Sequence, residues 1–371
     1  SGRYRAAYWR LSGVQWVTRA LRGERYDVVV ANDVEAVPVA LRLRPRHGVL
    51  ADLHEYAPRL HDDSLLWRSR QQPWLEWMVR TYVARADSWS TVSGGLVREY
   101  ERVFGFRAEL VTNATPLAEL SPSEPVAGPV RLVHSGACLR NRNLMVMAEA
   151  VESASVDVTL DFYLTPNHPD HLEELRRFAA GSSRVRVHDP VPYERLVETL
   201  NGFDVGLFVL PPVTFNYRWA LPNKLFDFVQ ARLGVVVGPS PEMAEYVRRF
   251  GLGEVSDGFS VEQTRAAIER LTPERVAGFK AAADAAAVEL SAQTEVEKWA
   301  RMVADLLARP ARMRRRRPSA HPAPAPGERR VERRLVLLTN EYPIDRGDAT
   351  FVANEIDALA AEFDEVVVFN Y

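Results

Sequence analysis

Cysteine and lysine are the scarcest functional residues in this chain, and each scarcity narrows the chemistry. A single cysteine, Cys138, among 371 residues excludes an intramolecular disulfide and a four-thiolate zinc site, and it fits a reducing compartment such as the cytoplasm. Lys224, Lys280 and Lys298 are the only lysines, so arginine supplies 44 of the 47 basic residues. Charge of one sign is lacking as well: with a formal net charge of −2 the chain is no polycation, and no nucleic-acid partner is expected. Long apolar runs are missing too, none approaching the roughly 20 residues that span a bilayer. The chain opens at Ser1 with neither methionine nor targeting segment and closes at Tyr371 just after an apolar run, so both are read as cut ends. What is present, 47% hydrophobic and 26% charged residues, is the composition of a folded protein, and the length predicts two to three domains.

The pattern alternates strands with helices. Tyr4 to Leu21 has helical spacing, with Gly23 as its stop. Short buried strands are predicted at Tyr26–Asp33, Gly48–His54, Ser88–Val92 and Ala108–Thr112, with helices between them. The helix over Leu65 to Ala86 is predicted to kink at Pro73. After a stretch rich in Pro, Ser, Glu and Ala the alternation restarts, with strands at Val130–His134, Val158–Leu164, Val185–His188, Val205–Val209, Val235–Val237 and Gly253–Val255. An alanine-rich helical region, Pro273 to Leu307, follows. This is the pattern of an α/β protein with two Rossmann-like domains in tandem. The expected division is a partial N-terminal domain over 1–118 and a second domain over 119–309 that includes the closing helix. A Pro/Arg-rich linker over 310–333 and a further strand–helix–strand start over 334–371 complete it.

The most informative stretch runs from Phe208 to Gly238. A strand ends, an aromatic loop follows, and Pro222-Asn223-Lys224 opens a helix. Proline and asparagine at a helix start leave free N–H groups and the positive end of the dipole facing the loop, an anion site to which Lys224 adds a full charge. Asp227, one turn on, offers a carboxylate suited to vicinal hydroxyls. A well-capped helix with a solvated lysine and acid accounts for the same residues.

Here the chain resembles glycosyltransferase family 4, retaining nucleotide-sugar transferases of the GT-B fold. The resemblance rests on Ala-Leu-Pro-Asn-Lys-Leu-Phe-Asp-Phe (220–228) followed by Gly-Val-Val-Val (234–237), and on Tyr-Asp-Val-Val-Val-Ala-Asn-Asp (26–33). Ala-Asp-Leu-His-Glu (51–55), Ala-Asp-Ser-Trp-Ser-Thr-Val-Ser (86–93) and the stretch from Gly136 to Asn-Arg-Asn-Leu (141–144) extend it. It implies that Lys224 and Arg142 neutralise the donor diphosphate, with Asn223 at the same helix start, and that Gly136 lets backbone approach it. Asp227 stands at the ribose-binding position, Trp219 replaces the first acid of the family's Glu-x7-Glu pair, and His54 and Glu55 are the catalytic candidates. No metal or other cofactor is implied. The partners implied are a nucleotide sugar and a glycan or lipid-linked acceptor in bacterial polysaccharide biosynthesis. A non-catalytic GT-B binding module and a nucleotide-sugar epimerase are the alternatives.

Other motifs carry less. His54 and His61 lack the spacing of a helical zinc site, His168 and His171 flank a loop proline, and Gly251-Leu-Gly253 joins a helix to a strand. The run from Trp67 to Arg80 mixes tryptophan with arginine, the composition of a peripheral contact at the inner face of a membrane, although packing of an N-domain helix explains it equally. Arg334 to Tyr371 resembles the opening of another family 4 enzyme, so the chain reads as a piece of a tandem transferase. The rival reading is a permuted single enzyme, with these last strands completing the first domain.

Overall fold

The computed structural model describes residues 2–124, 128–312, 333–339, 356 and 359–370. In chain order the strands are β1 (Val28–Asn32), β2 (Gly48–Leu53), β3 (Ser88–Thr91), β4 (Glu109–Leu110), β5 (Val130–Ala137) and β6 (Val158–Thr165). They continue as β7 (Val185–His188), β8 (Val205–Phe208), β9 (Gly234–Val237), β10 (Gly253–Val255), β11 (Arg334–Thr339) and β12 (Glu365–Asn370). The helices are α1 (Gly2–Arg10), α2 (Ser12–Ala20), α3 (Asp33–Leu43), α4 (Gln72–Thr81), α5 (Gly94–Phe104), α6 (Leu144–Glu152) and α7 (Pro169–Ala180). After these come α8 (Tyr193–Asn201), α9 (Phe215–Arg218), α10 (Asn223–Gln230), α11 (Pro241–Phe250), α12 (Val261–Ile268), α13 (Pro273–Ala286) and α14 (Ala292–Ala308).

Two parallel sheets of six strands each result, ordered β12-β11-β1-β2-β3-β4 and β10-β9-β8-β5-β6-β7. The chain divides into one unit of residues 1–92, 96–111 and 296–371, and another of 93–95 and 112–295. Each sheet is α/β and Rossmann-like, as the alternation predicts. In the second unit the strand order reverses between β5 and β8, so the crevice at their carboxyl ends is the expected ligand position of a doubly wound sheet.

Three differences from the sequence expectation have physical causes. Among the described residues of 334–371, Leu335–Leu338 pair in parallel with Val28–Ala31, and β12 pairs with β11. The edge of β1 is fully buried valine, and Leu335 and Leu337 complete the apolar cluster around it. Completion of the first sheet by these strands, the rival arrangement, is therefore the packing found. The closing helix also belongs only in part to the second unit, because Trp299, Val303 and Leu306 of α14 are buried against Val28, Val30 and Leu50. Finally, the long helix over 4–21 is two helices interrupted at Leu11, and the bend near Pro73 is taken up by a widened π-helical turn over Trp67–Gln71. The Pro/Arg-rich linker lies outside the described residues apart from Pro310, Ala311, Arg312 and Arg333. Gly347 and the start of the helix expected over 351–363 lie outside them too.

Candidate functional site

In the second unit the site grows from the end of β5. Gly136 has φ of +131°, a conformation that side-chain-bearing residues rarely adopt, and a Cβ there would collide with the Lys224 side chain. Lys224 stands in the first turn of α10, whose N-terminus begins at Pro222 with no side-chain cap. Its ammonium lies 5.6 Å from the centroid of Phe208, at the end of β8. The lysine therefore fills the crevice where the strand order reverses. Arg142, in the turn after β5, is close enough to act on it: burial, then Arg142, lower the Lys224 pKa to about 8, against a counteracting pull from Asp227. Neither cation is held in an ion pair among the described residues, and the Arg142 Nε is buried without a hydrogen bond.

Beneath them His134 is fully buried. Its Nδ1 donates to the Leu207 carbonyl at 2.9 Å, and its Nε2 has no partner. Burial, followed by Lys224 and Arg142, pushes its pKa down to about 3, so it is neutral. Asp227 lies one turn along α10 from Lys224, on the same face. Its carboxylate accepts from the Thr115 hydroxyl at 2.6 Å, and burial raises its pKa to about 6 despite that bond and Lys224. Tyr193, at the start of α8, is buried beside it, and burial and the Asp227 charge push its phenol well up. Asn223 takes the first position of α10, half-buried. The assembly is a half-buried basic cluster at a helix N-terminus, suited to a dianion, with an acid suited to hydroxyls beside it.

In the first unit the carboxyl ends of β1, β2 and β3 bring together Asp33, His54, Asp52 and Ser90. The His54 Nε2 is 3.2 Å from Asp52 Oδ2, and its Nδ1 is 3.7 Å from Asp33 Oδ1. The Ser90 hydroxyl donates to Asp52 at 2.6 Å. Burial opposes charge on His54, yet Asp52 and Asp33 hold its pKa well above the ordinary 6.5. The same imidazolium and the Ser90 bond outweigh burial and hold Asp52 below the usual carboxylate range. His54 is thus a cation and a proton donor rather than a base. Asp33 takes up φ of +66°, which asparagine and aspartate tolerate best among residues with a Cβ. Glu55 is exposed, and its backbone carbonyl accepts from the Tyr100 hydroxyl at 2.7 Å.

No sequence-family model matches the chain, and no curated protein matches it in sequence. In three dimensions it is similar to HepE from Anabaena, solved in complex with UDP, with a TM-score of 0.62 and 13% identity over 78% of this chain and 81% of that one. A glycosyltransferase from Rickettsia africae is similar with a TM-score of 0.62 and 10% identity, covering 81% of this chain and 83% of that one. So is a UDP-forming α,α-trehalose-phosphate synthase from Burkholderia xenovorans, solved with glucose-6-phosphate, with a TM-score of 0.59 and 13% identity over 81% of this chain and 77% of that one. The fold is GT-B.

Within this GT-B chain, Gly136, Arg142, Asn223, Lys224 and Asp227 lie in the second unit, with Arg142, Lys224 and Asp227 linked by charge. His54 and Glu55 lie in the first unit and part company there, His54 inside the charge cluster and Glu55 at the surface. Sequence reasoning missed Thr115, His134, Tyr193 and Phe208 in one unit and Asp33, Asp52 and Ser90 in the other. The one signal for His134 was a polar residue at an inward position of an apolar strand just before the glycine turn. Trp219, where the family carries an acid, ends the short helix α9, with the Arg218 guanidinium 5.4 Å from its ring.

Proposed function

We propose that the protein is a retaining glycosyltransferase that moves a sugar from a nucleoside diphosphate to a glycan or lipid-linked acceptor, in the cytoplasm and at the inner face of the membrane. The observation that carries this reading is a pair of half-buried cations, Lys224 and Arg142, without carboxylate partners at an uncapped helix N-terminus. Two like charges held together and partly out of water are costly, and the arrangement makes sense when a dianionic diphosphate completes it. As the glycosidic bond to the donor breaks, negative charge builds on the leaving diphosphate. The two cations and the α10 amides stabilise that charge without reorganising, so no metal is needed in this scheme. Asp227, fixed by Thr115, receives ribose hydroxyls, and the His54 imidazolium donates hydrogen bonds to sugar oxygens. Similarity to structures solved with UDP and glucose-6-phosphate supports a nucleotide-sugar donor and a sugar acceptor.

Incubating the full chain with labelled nucleotide sugars and a panel of hexose acceptors tests the reading. Transfer of label supports it. Tight donor binding without turnover would instead favour a binding module, which Trp219 in place of the paired acid would suit. Recovery of an isomerised donor would favour an epimerase.

A further inference from the structure

The segment 65–73 is an anomaly of the first unit. It is helical throughout, and within it only Trp67 and Gln72 are even half-buried. Leu65 and Leu66 are 76% and 60% exposed, adjacent leucines at the start of a helix that projects into solvent. Trp67 anchors the projection, its indole N–H donating to the Pro58 carbonyl at 3.2 Å. Arg68 and Arg70 follow within a turn, and residues 64–75 contain no acid.

A second basic element lies alongside. Tyr4 of α1 meets Trp77 of α4 at 5.6 Å between ring centroids, and Tyr8 meets Tyr82 at 6.4 Å. The contacts run in the same order along α1 and along α4 and its C-cap Tyr82, so α1 lies parallel to α4 with its first turn toward the projecting leucines. Arg3, Arg5 and Arg10 are exposed on α1, residues 1–23 hold five arginines and no acid, and none of Arg3, Arg5, Arg10, Arg68 and Arg70 is in an ion pair among the described residues. Exposed leucines, flanking tryptophans and unpaired guanidiniums together match the interface of an anionic bilayer. The leucines enter the acyl boundary, and the arginines reach back to phosphates. No helix among the described residues is long and apolar enough to cross a membrane, so the contact is peripheral.

We infer that the projecting turn Leu65–Arg70, with the exposed arginines of α1, docks the protein onto anionic lipid. This stands apart from the donor-site reading: a chain that binds vesicles yet transfers no sugar would keep this inference and overturn that one. The test is co-sedimentation of the full chain with phosphatidylcholine vesicles, with and without about 30 mol% phosphatidylglycerol, at low and at about 0.5 M salt. The expected result is binding to the anionic vesicles only, reduced several-fold by salt. Leu65→Ser/Leu66→Ser and, separately, Arg3→Glu/Arg5→Glu should each lower the anionic-vesicle partition about tenfold with an unchanged circular dichroism spectrum. Three results would overturn the inference: wild type in the supernatant with both vesicle types, variants that partition like wild type, or a lipid-free dimer that the leucine pair of substitutions dissolves.

Discussion

The two sheets share an architecture and handle partly buried positive charge in opposite ways. In the first unit the His54 imidazolium lies between Asp52 and Asp33, so its charge is matched within the fold. In the second, Lys224 and Arg142 sit together without a carboxylate in contact, and the nearest acid, Asp227, is occupied by Thr115. A matched cation raises its own pKa and ties strands together, whereas burial and then the Arg142 charge lower the lysine pKa in the unmatched pair. The difference separates a cluster whose charge the fold matches from one whose charge it leaves unmatched, the place where the proposed function puts a diphosphate.

Removing the unmatched charge should have the largest effect. Lys224→Ala is expected to lower kcat/KM for the labelled donor by about 10²- to 10³-fold, the scale of losing one preorganised donor to a developing negative charge. Steady-state kinetics on the full chain check it, and unchanged kinetics would leave Lys224 without a role. Breaking the matched pair should instead cost stability. Asp52→Asn leaves a buried imidazolium with one partner fewer and is expected to destabilise the first unit by ~3 kcal/mol, read from the denaturant midpoint.

The comparison also has a pH signature. The folded pKa of His54 lies above 6.5, so its stabilisation is complete below 6.5 and is lost as the pH rises through the folded value. Wild type should lose stability on alkaline titration through that window, and His54→Gln should show a flatter profile. Lys224 responds in the same direction, but through ligand binding rather than stability. With a pKa of about 8 it loses its proton on mild alkalinisation, so affinity for a nucleoside diphosphate should weaken as the pH passes about 8. A smaller effect is expected at Thr115. Thr115→Val removes the bond that holds the Asp227 pKa down, so the acid should titrate above about 6. The stability change should be ~1 kcal/mol, and carbon-detected NMR of the carboxyl group reads the titration.

Much of the fold was legible because buried parallel strands are short apolar runs and the helices between them carry a different period. Val130–His134, Val185–His188 and Val205–Val209 fall on strands with ends shifted by a few residues at most. The start of α10 was legible too, since Pro222-Asn223-Lys224 is local helix-start chemistry. What stayed hidden depends on contacts distant in sequence. Thr115 reaches Asp227 across 112 residues, and His134 reaches the Leu207 carbonyl across 73. The pairing of β11 with β1 follows from a shared apolar edge that a linear pattern does not reveal. The left-handed backbone of Asp33 gives no periodic signal either, although it brings the second carboxylate to His54.

Calorimetric titration of UDP into the wild-type chain and into Lys224→Ala at neutral pH tests the unmatched cation pair most directly. The account predicts saturable binding to wild type and an affinity lower by about tenfold or more in the variant, with the unliganded variant at least as thermally stable as the unliganded wild type. Equal affinity in the two proteins, or no binding to wild type, would contradict it.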